Sequence, residues 1–289
     1  MKIRANYHTH TVFCDGTNTA EEMVCQALAL GFEHLGFSGH IDDFAEVDKE
    51  KYFPEIKRLE AKYGDRIEIL HGIELDNLRK PEEAAGAEYI IGSTHYLNVP
   101  AVDGKPVSVD GHAENVKFLA DEYFGGDYYK LSAAYYDFEA LVYDRLHPTF
   151  IGHFDLITRF NDLPPQQGGH FLDEDDPRYI KPALEAMEYL VSRGMPFEIN
   201  CGAINRNRKL EPYPAPRLLR ALHDFGGEIL ISSDAHQKEL LNGCFDIAIE
   251  RARAAGFKHI NILTRDGSQP SARPANAALY WVEVPIDKL

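Results

Sequence analysis

Short apolar runs of strand length alternate with helix-like stretches along most of this 289-residue chain, and that alternation narrows its possible folds most. The runs are Lys2 to Tyr7, His34 to Phe37, Ile67 to Leu70, Tyr89 to Gly92, Phe150 to Gly152, Pro196 to Ile199 and Glu228 to Ile231. A first helix is predicted to start at Thr19, whose hydroxyl can cap a turn containing Glu21 and Glu22, and to end near Gly31. Further helices are expected at Pro54 to Tyr63, Ala113 to Phe124, Ala133 to Leu146, Tyr179 to Arg193, Pro216 to Phe225 and Leu240 to Ala255. A helix between two strands carries the chain back across the sheet and leaves those strands parallel. Seven such strands, with no GxGxxG turn after the first, predict an α/β barrel rather than an open doubly wound sheet. Length and a hydrophobic content of 44% suit one large barrel or two smaller domains. No stretch reads as a linker, so residues 1–289 are expected to form one domain. Lys258 to Leu263 and Tyr280 to Val284 fall outside the repeat and predict a terminal strand pair.

Chemistry-bearing residues cluster at one end of these runs. His8-Thr9-His10 closes the first, and residues two apart on a strand share a face, so both imidazoles can reach one ion. His40, Glu74, His95 and His153 follow the next runs, and Asp234-Ala235-His236 follows Glu228 to Ile231. In a barrel those positions meet on one rim, where such folds place catalysis. Any one of them has a structural explanation; a structural cause gives no reason for all to occupy the same end of successive strands. Imidazole and carboxylate without thiolate suit Zn, Mn or Fe, and the ligands outnumber what one tetrahedral ion needs. With Asp15 added, two or three divalent ions are expected. His34, His71, His112, His147, His170, His223 and His259 are read as structural or solvated.

The formal net charge of −16 excludes a broad nucleic-acid surface, since duplex binding needs many Lys and Arg against phosphate. Met1 to Tyr7 lacks the apolar core of a secretory signal and no apolar stretch is long enough for a bilayer, so a cytoplasmic protein without a membrane partner is expected. Cys14, Cys25, Cys201 and Cys244 lack CxxC spacing and are read as reduced, packing residues.

Taken in order, several motifs resemble the polymerase-and-histidinol-phosphatase (PHP) family. They are His8-Thr9-His10-Thr11, Ser38-Gly39-His40, Gly72-Ile73-Glu74, Gly92-Ser93-Thr94-His95, Gly152-His153-Phe154-Asp155-Leu156, Glu198-Ile199-Asn200 and Ser232-Ser233-Asp234-Ala235-His236. The segments at 152–156 and 198–200 are similar to the histidinol-phosphatase branch. The resemblance implies a distorted seven-stranded TIM-like barrel with a trinuclear centre. His8, His10, Glu74 and Asp234 would hold one ion, Glu74, His95 and His153 a second, and Asp15, His40 and His236 a third. Asp15 stands near where many relatives have a histidine, and Gly39 replaces an acidic residue that commonly precedes the second-motif histidine.

The same resemblance implies a histidinol-phosphatase that releases phosphate from L-histidinol phosphate in histidine biosynthesis, with Asp234, Glu74 and His236 in the catalytic set. Residue chemistry alone reaches metal-dependent phosphoester hydrolysis. A small phosphorylated substrate would need guanidinium contacts, for which Arg159 and Arg206 are the candidates, with Arg208 an alternative to Arg206. The competing readings are another small phosphomonoester, a phosphotyrosyl protein or a nucleotide as substrate, a non-catalytic metal-binding module, and a metal-dependent amidohydrolase. The loops Asn98 to Gly111 and Phe160 to Pro177, the latter including Pro164 to Gly169, are candidates to line the mouth.

Overall fold

The computed structural model describes residues 5–289. Of the expected first run, β1 (Ala5–Asn6) is strand and Tyr7 lies just past its end; Lys2 to Arg4 lie outside the described residues. There follow α1 (Ala20–Leu30), β2 (His34–Ile41), α2 (Lys49–Tyr63), β3 (Glu68–Asp76), β4 (Tyr89–Ser93), α3 (Ala113–Phe124), α4 (Tyr128–Glu139), α5 (Val142–Leu146) and β5 (Phe150–Ile151). The second half holds α6 (Pro177–Ser192), β6 (Phe197–Asn200), α7 (Gly202–Asn205), α8 (Pro216–Asp224), β7 (Ile229–Ser232), α9 (Phe245–Ala255), β8 (His259–Thr264), β9 (Arg273–Pro274) and β10 (Tyr280–Pro285).

The strands β1 to β7 pair in chain order, each parallel to the next, as the crossover argument requires. A parallel bridge between Thr9 and Ala235, with His10 N donating to Ala235 O at 2.8 Å, joins the first and last strands beyond their ends. The result is a nearly closed seven-stranded barrel, with the helices packing their apolar faces against its outside.

Local signals explain most element ends. Thr19 and Glu22 form a reciprocal capping box at the start of α1, and Gly31 ends it at φ 78°. Elsewhere the boundaries move. Asp48 caps α2 through the backbone N–H of Glu50, so that helix begins at Lys49 rather than Pro54. Asp127 caps α4, which starts before Ala133 and breaks at Ala140, dividing the expected Ala133 to Leu146 helix in two. Cys244 has a φ of 58°, so α9 starts at Phe245 and not at Leu240.

The alternation of strand side chains sends every second residue into the barrel, and along that inward face the strand starts form a floor and the strand ends a rim. Tyr7, Leu70, Tyr89, Phe150, Leu230 and Trp281 form an apolar cluster distinct from the outer core. Tyr89 crosses the interior to reach the carbonyls of Tyr7 and Phe37 at 2.7 and 2.9 Å. It fits because residue 72 is glycine: a Cβ there would lie 2.3 Å from the Tyr89 ring. The antiparallel sheet β8–β10–β9 covers this end, with Leu263 bonded to the Tyr7 hydroxyl through both its N–H (2.9 Å) and its carbonyl (2.6 Å). The expected terminal strand pair is thus the lid of the barrel floor.

Candidate metal centre

At the opposite end, the register of β2, β3 and β4 brings the chemical residues into contact. His40 pairs with Glu74, and Glu74 with Ile91, so the two inward side chains stand side by side. Both lie inside their strands and not in the loops beyond, because β2 runs on to Ile41 and β3 to Asp76, past the expected ends at Phe37 and Leu70.

Glu74 is the hub. Its Oε2 lies 3.0 Å from His8 Nε2, 3.2 Å from His40 Nδ1 and 3.4 Å from His10 Nε2. Its Oε1 lies 2.9 Å from His153 Nε2 and 3.3 Å from His95 Nε2, and accepts from Ser93 Oγ at 2.8 Å. Asp234 Oδ1 is 3.3 Å from His10 Nε2 and 3.7 Å from His8 Nε2. Asp15, at the open side, reaches His236 Nε2 at 3.0 Å, His40 Nε2 at 3.6 Å and His10 Nδ1 at 3.7 Å. Among the described residues three sets of ligand atoms lie within 4.8 Å of one another: His8, His10 and Glu74; His40, Glu74 and His95; and His10, Asp15, His40 and His236. All nine candidate ligands thus gather at one place. His10 and His40 each stand between two sets, a sharing that the motif-based partition did not contain.

The donor set fits divalent ions. His8 Nε2, His10 Nε2 and Glu74 Oε2 are buried and, among the described residues, without a hydrogen-bond partner, although the carboxylate oxygen lies only 3.0 and 3.4 Å from the two nitrogens. Two ligands bound about 2.0–2.2 Å from one tetrahedral ion are about 3.4 Å apart, so such spacing is what ligation produces.

Carboxylates outside this set orient the imidazoles. Glu198, fully buried, accepts from His8 Nδ1 at 3.0 Å, from the backbone N–H of His153 at 2.7 Å, from Asn200 Nδ2 at 2.8 Å and from the Ser232 hydroxyl. Asp76 Oδ2 lies 3.3 Å from His95 Nδ1 and takes that residue's backbone N–H at 2.8 Å. Asp42 Oδ2 lies 3.3 Å from His40 Nδ1. No role was read for these three from the sequence. Asp42 and Asp76 carried a signal: each is two residues past a candidate ligand on the same strand or its continuation, hence on the same face. Asp42 also supplies the support for which Gly39 lacks a side chain, and Gly39 has no room for one, since its Cβ would meet Val47 Cγ1 at 2.4 Å.

Charge balance follows from this crowding. Burial disfavours protonation of His8, but Glu198, Glu74 and Asp234 outweigh it and hold its pKa well above the usual imidazole range. Burial is likewise overcome at His40, which Glu74, Asp42 and Asp15 raise to about 9, and at His95, raised by Glu74 and Asp76. His10 goes the other way, to about 3, through burial and the neighbouring His236 and His40. Glu74 and Asp234 stay ionised despite burial, Glu74 held by His8 and His40, Asp234 by Arg206 and His8. Raised imidazoles keep their protons below the folded-state pKa, whereas metal ligation needs them neutral. Ion loading at pH 7 is therefore expected to release protons, with apparent affinity rising as pH increases toward about 9. Calorimetric titration with Zn²⁺ or Mn²⁺ in buffers of different ionisation enthalpy checks this: identical heats in all buffers would contradict it.

The cluster opens into a cavity of about 630 Å³ lined also by Arg159, Arg206 and Arg208. Arg159 Nη1 donates to Asp110 Oδ2 at 3.0 Å. Arg206, expected as a phosphate contact, has Nη2 on Asp234 Oδ2 and Nη1 on His236 Nδ1, both at 3.0 Å. Of the two loops considered for the mouth, 98–111 contributes Lys105, Ser108 and Asp110, whereas 160–177 lines a separate depression with Tyr129 and Arg217. His71 is structural: its Nδ1 lies 2.8 Å from Glu88. Burial pushes the Cys14 thiol up to about 11 and Cys201 well above its ordinary value, and all four cysteines are free.

Comparison with known proteins gives a consistent family. The family described as PHP domain matches residues 6–202. Proteins named "Probable histidinol-phosphatase" are 26% identical in Schizosaccharomyces pombe, over 82% of this chain and 81% of that protein, and 28% identical in Deinococcus radiodurans, over 89% and 96%. The crystal structure of histidinol phosphate phosphatase from Lactococcus lactis, complexed with Zn, L-histidinol and phosphate, superposes with a TM-score of 0.69 at 22% identity, covering 89% of this chain and 95% of that one.

Proposed function

The chain belongs to the PHP domain family, and from that premise we propose that it is a histidinol-phosphatase, a metal-dependent phosphoric monoester hydrolase. The observation that carries this reading is the cavity itself. It joins a buried His and carboxylate cluster to three guanidinium groups in a chain of net charge −16, which provides for both ions and a phosphoryl group. The names of the relatives and the ligands of the Lactococcus lactis structure favour L-histidinol phosphate as that phosphoester.

His8, His10, Glu74 and Asp234 would hold one ion, Glu74, His95 and His153 a second, and Asp15, His40 and His236 a third. His10 and His40 are near enough to be shared. Divalent ions bound there, whether Zn, Mn or Fe, supply Lewis acidity that acidifies water and offsets charge on phosphoryl oxygens. The chain's own residues do the rest. Glu74 and Asp234 bring the negative charge that balances the ions, and His236, beside Asp15 at the cavity wall, completes the set of groups nearest the reacting centre. Arg206 keeps Asp234 and His236 oriented. Arg159 and Arg208, the latter without a hydrogen-bond or ion-pair partner among the described residues, then take phosphoryl oxygens, each able to present two N–H groups to two oxygens.

That division of labour predicts different failures. Arg208→Ala should raise KM by about tenfold or more with metal content unchanged, as expected for loss of a charge-assisted contact. Arg206→Ala should lower metal content as well. Kinetics alongside metal analysis checks this, and identical behaviour of the two variants would contradict it. The substrate is tested by comparing kcat/KM for L-histidinol phosphate with that for other small phosphomonoesters, phosphotyrosyl peptides and nucleotides on metal-loaded protein. A better ester would overturn the substrate, and no hydrolysis of any would leave a metal-binding module.

We also place residues 1–289 in one functional unit, because the terminal sheet bonds directly to Tyr7, the residue before the first ligand. A cytoplasmic setting agrees with four free thiols. Among the described residues no helix is long and apolar enough to cross a membrane.

A further inference from the structure

Lys209 is the one Lys or Arg among the described residues that is buried, with its side chain 2% exposed. Removing an ammonium from water costs several kcal/mol in effective terms, and such a group persists where its surroundings repay that cost. Its Nζ donates to Thr158 Oγ1 at 2.9 Å and approaches Thr158 O at 3.4 Å and Glu174 Oε1 at 3.6 Å. Thr158 immediately precedes Arg159, and Lys209 immediately follows Arg208. The ammonium is therefore a clasp between the two segments that carry the cavity's arginines. A second tie lies one residue on, where Leu210 N donates to Asp162 Oδ2 at 2.9 Å. Glu174 is fixed in turn by Asn161 Nδ2 at 2.7 Å.

We propose that Lys209 is a positioning residue for phosphoester binding: it touches neither ions nor phosphate but sets the distance between Arg159 and Arg208, so that both can grip one phosphoryl group. The two segments lie about fifty residues apart in the chain and belong to different strand-end loops, one a single 3-10 turn (Leu156–Thr158) and the other irregular at this point. Without a clasp each arginine would sample positions independently, and a misplacement near 1 Å at a bound group is costly. The inference rests on the reading of this cavity as a phosphoester site, and names what holds its two sides in register.

Lys209→Met keeps the length and apolar stem of the side chain and removes the charge. On metal-loaded protein, binding of inorganic phosphate measured by calorimetry should weaken about tenfold, and KM for L-histidinol phosphate should rise in parallel, while kcat stays within about threefold. Metal per chain should match the parent, which separates loss of register from loss of the centre. Thr158→Val, which removes only the hydroxyl, should shift phosphate binding in the same direction by a smaller factor, and decides the matter if Lys209→Met does not fold. Unchanged phosphate affinity in a folded variant, or weakening that tracks metal loss, overturns the proposal. Phosphate binding is read without turnover, so failure to hydrolyse L-histidinol phosphate would strike the substrate reading alone.

Discussion

Glu74→Gln is expected to reduce kcat/KM by at least about 10³-fold and to lower the metal content of purified protein. The change preserves size and removes charge at the point where five imidazoles converge: His8, His10 and His40 around one oxygen, His95 and His153 around the other. A glutamine keeps one acceptor and turns an amide donor toward nitrogens that must offer lone pairs. The carboxylate is also the main counter-charge of the cluster, held ionised by those histidines despite complete burial. The check is kcat/KM together with atomic emission analysis of metal per chain. Full metal content with near-parent activity would remove Glu74 from its bridging position.

The second large effect falls on a residue that is not a candidate ligand. Glu198→Ala should destabilise the fold by about 3–5 kcal/mol, the usual result of removing one partner from a buried charged network. It strands the Ser232 hydroxyl, the Asn200 amide and the backbone N–H of His153, and leaves His8 Nδ1 without its acceptor. Metal affinity should fall by about 10- to 100-fold in the same variant, because the His8 ring loses its fixed orientation. Denaturant unfolding of the ion-free protein isolates the first effect, and metal titration of the folded variant the second. A stability within about 0.5 kcal/mol of the parent, a margin typical of neutral substitutions, would contradict the first.

The contrast between Glu74 and Glu198 shows what was legible in the sequence. Glu74 announced itself because it ends an apolar run, as His40, His95, His153 and Asp234 do, and that regularity is a one-dimensional signal of a common rim. Glu198 sits inside the run Phe197–Asn200, where its neighbours alone suggest an ordinary strand. Its importance depends on the barrel closing so that β6 faces His8, 190 residues away. The same limit applies to His10 and His40, whose sharing between ligand sets depends on ring positions that no spacing encodes. The seven-stranded order was readable because each crossover is local, whereas helix starts such as Lys49 and Tyr128 turned on single capping carboxylates.

The aromatic floor under the centre has a consequence for traffic. Among the described residues Tyr7, Tyr89, Phe150 and Trp281 close the barrel from below and the terminal sheet backs them, so the cavity opens away from that floor. A molecule that enters with its phosphoryl end toward the ions presents its alcohol end to the doorway. With the phosphoryl end deeper, the alcohol is expected to depart before phosphate, an order that product-inhibition kinetics checks.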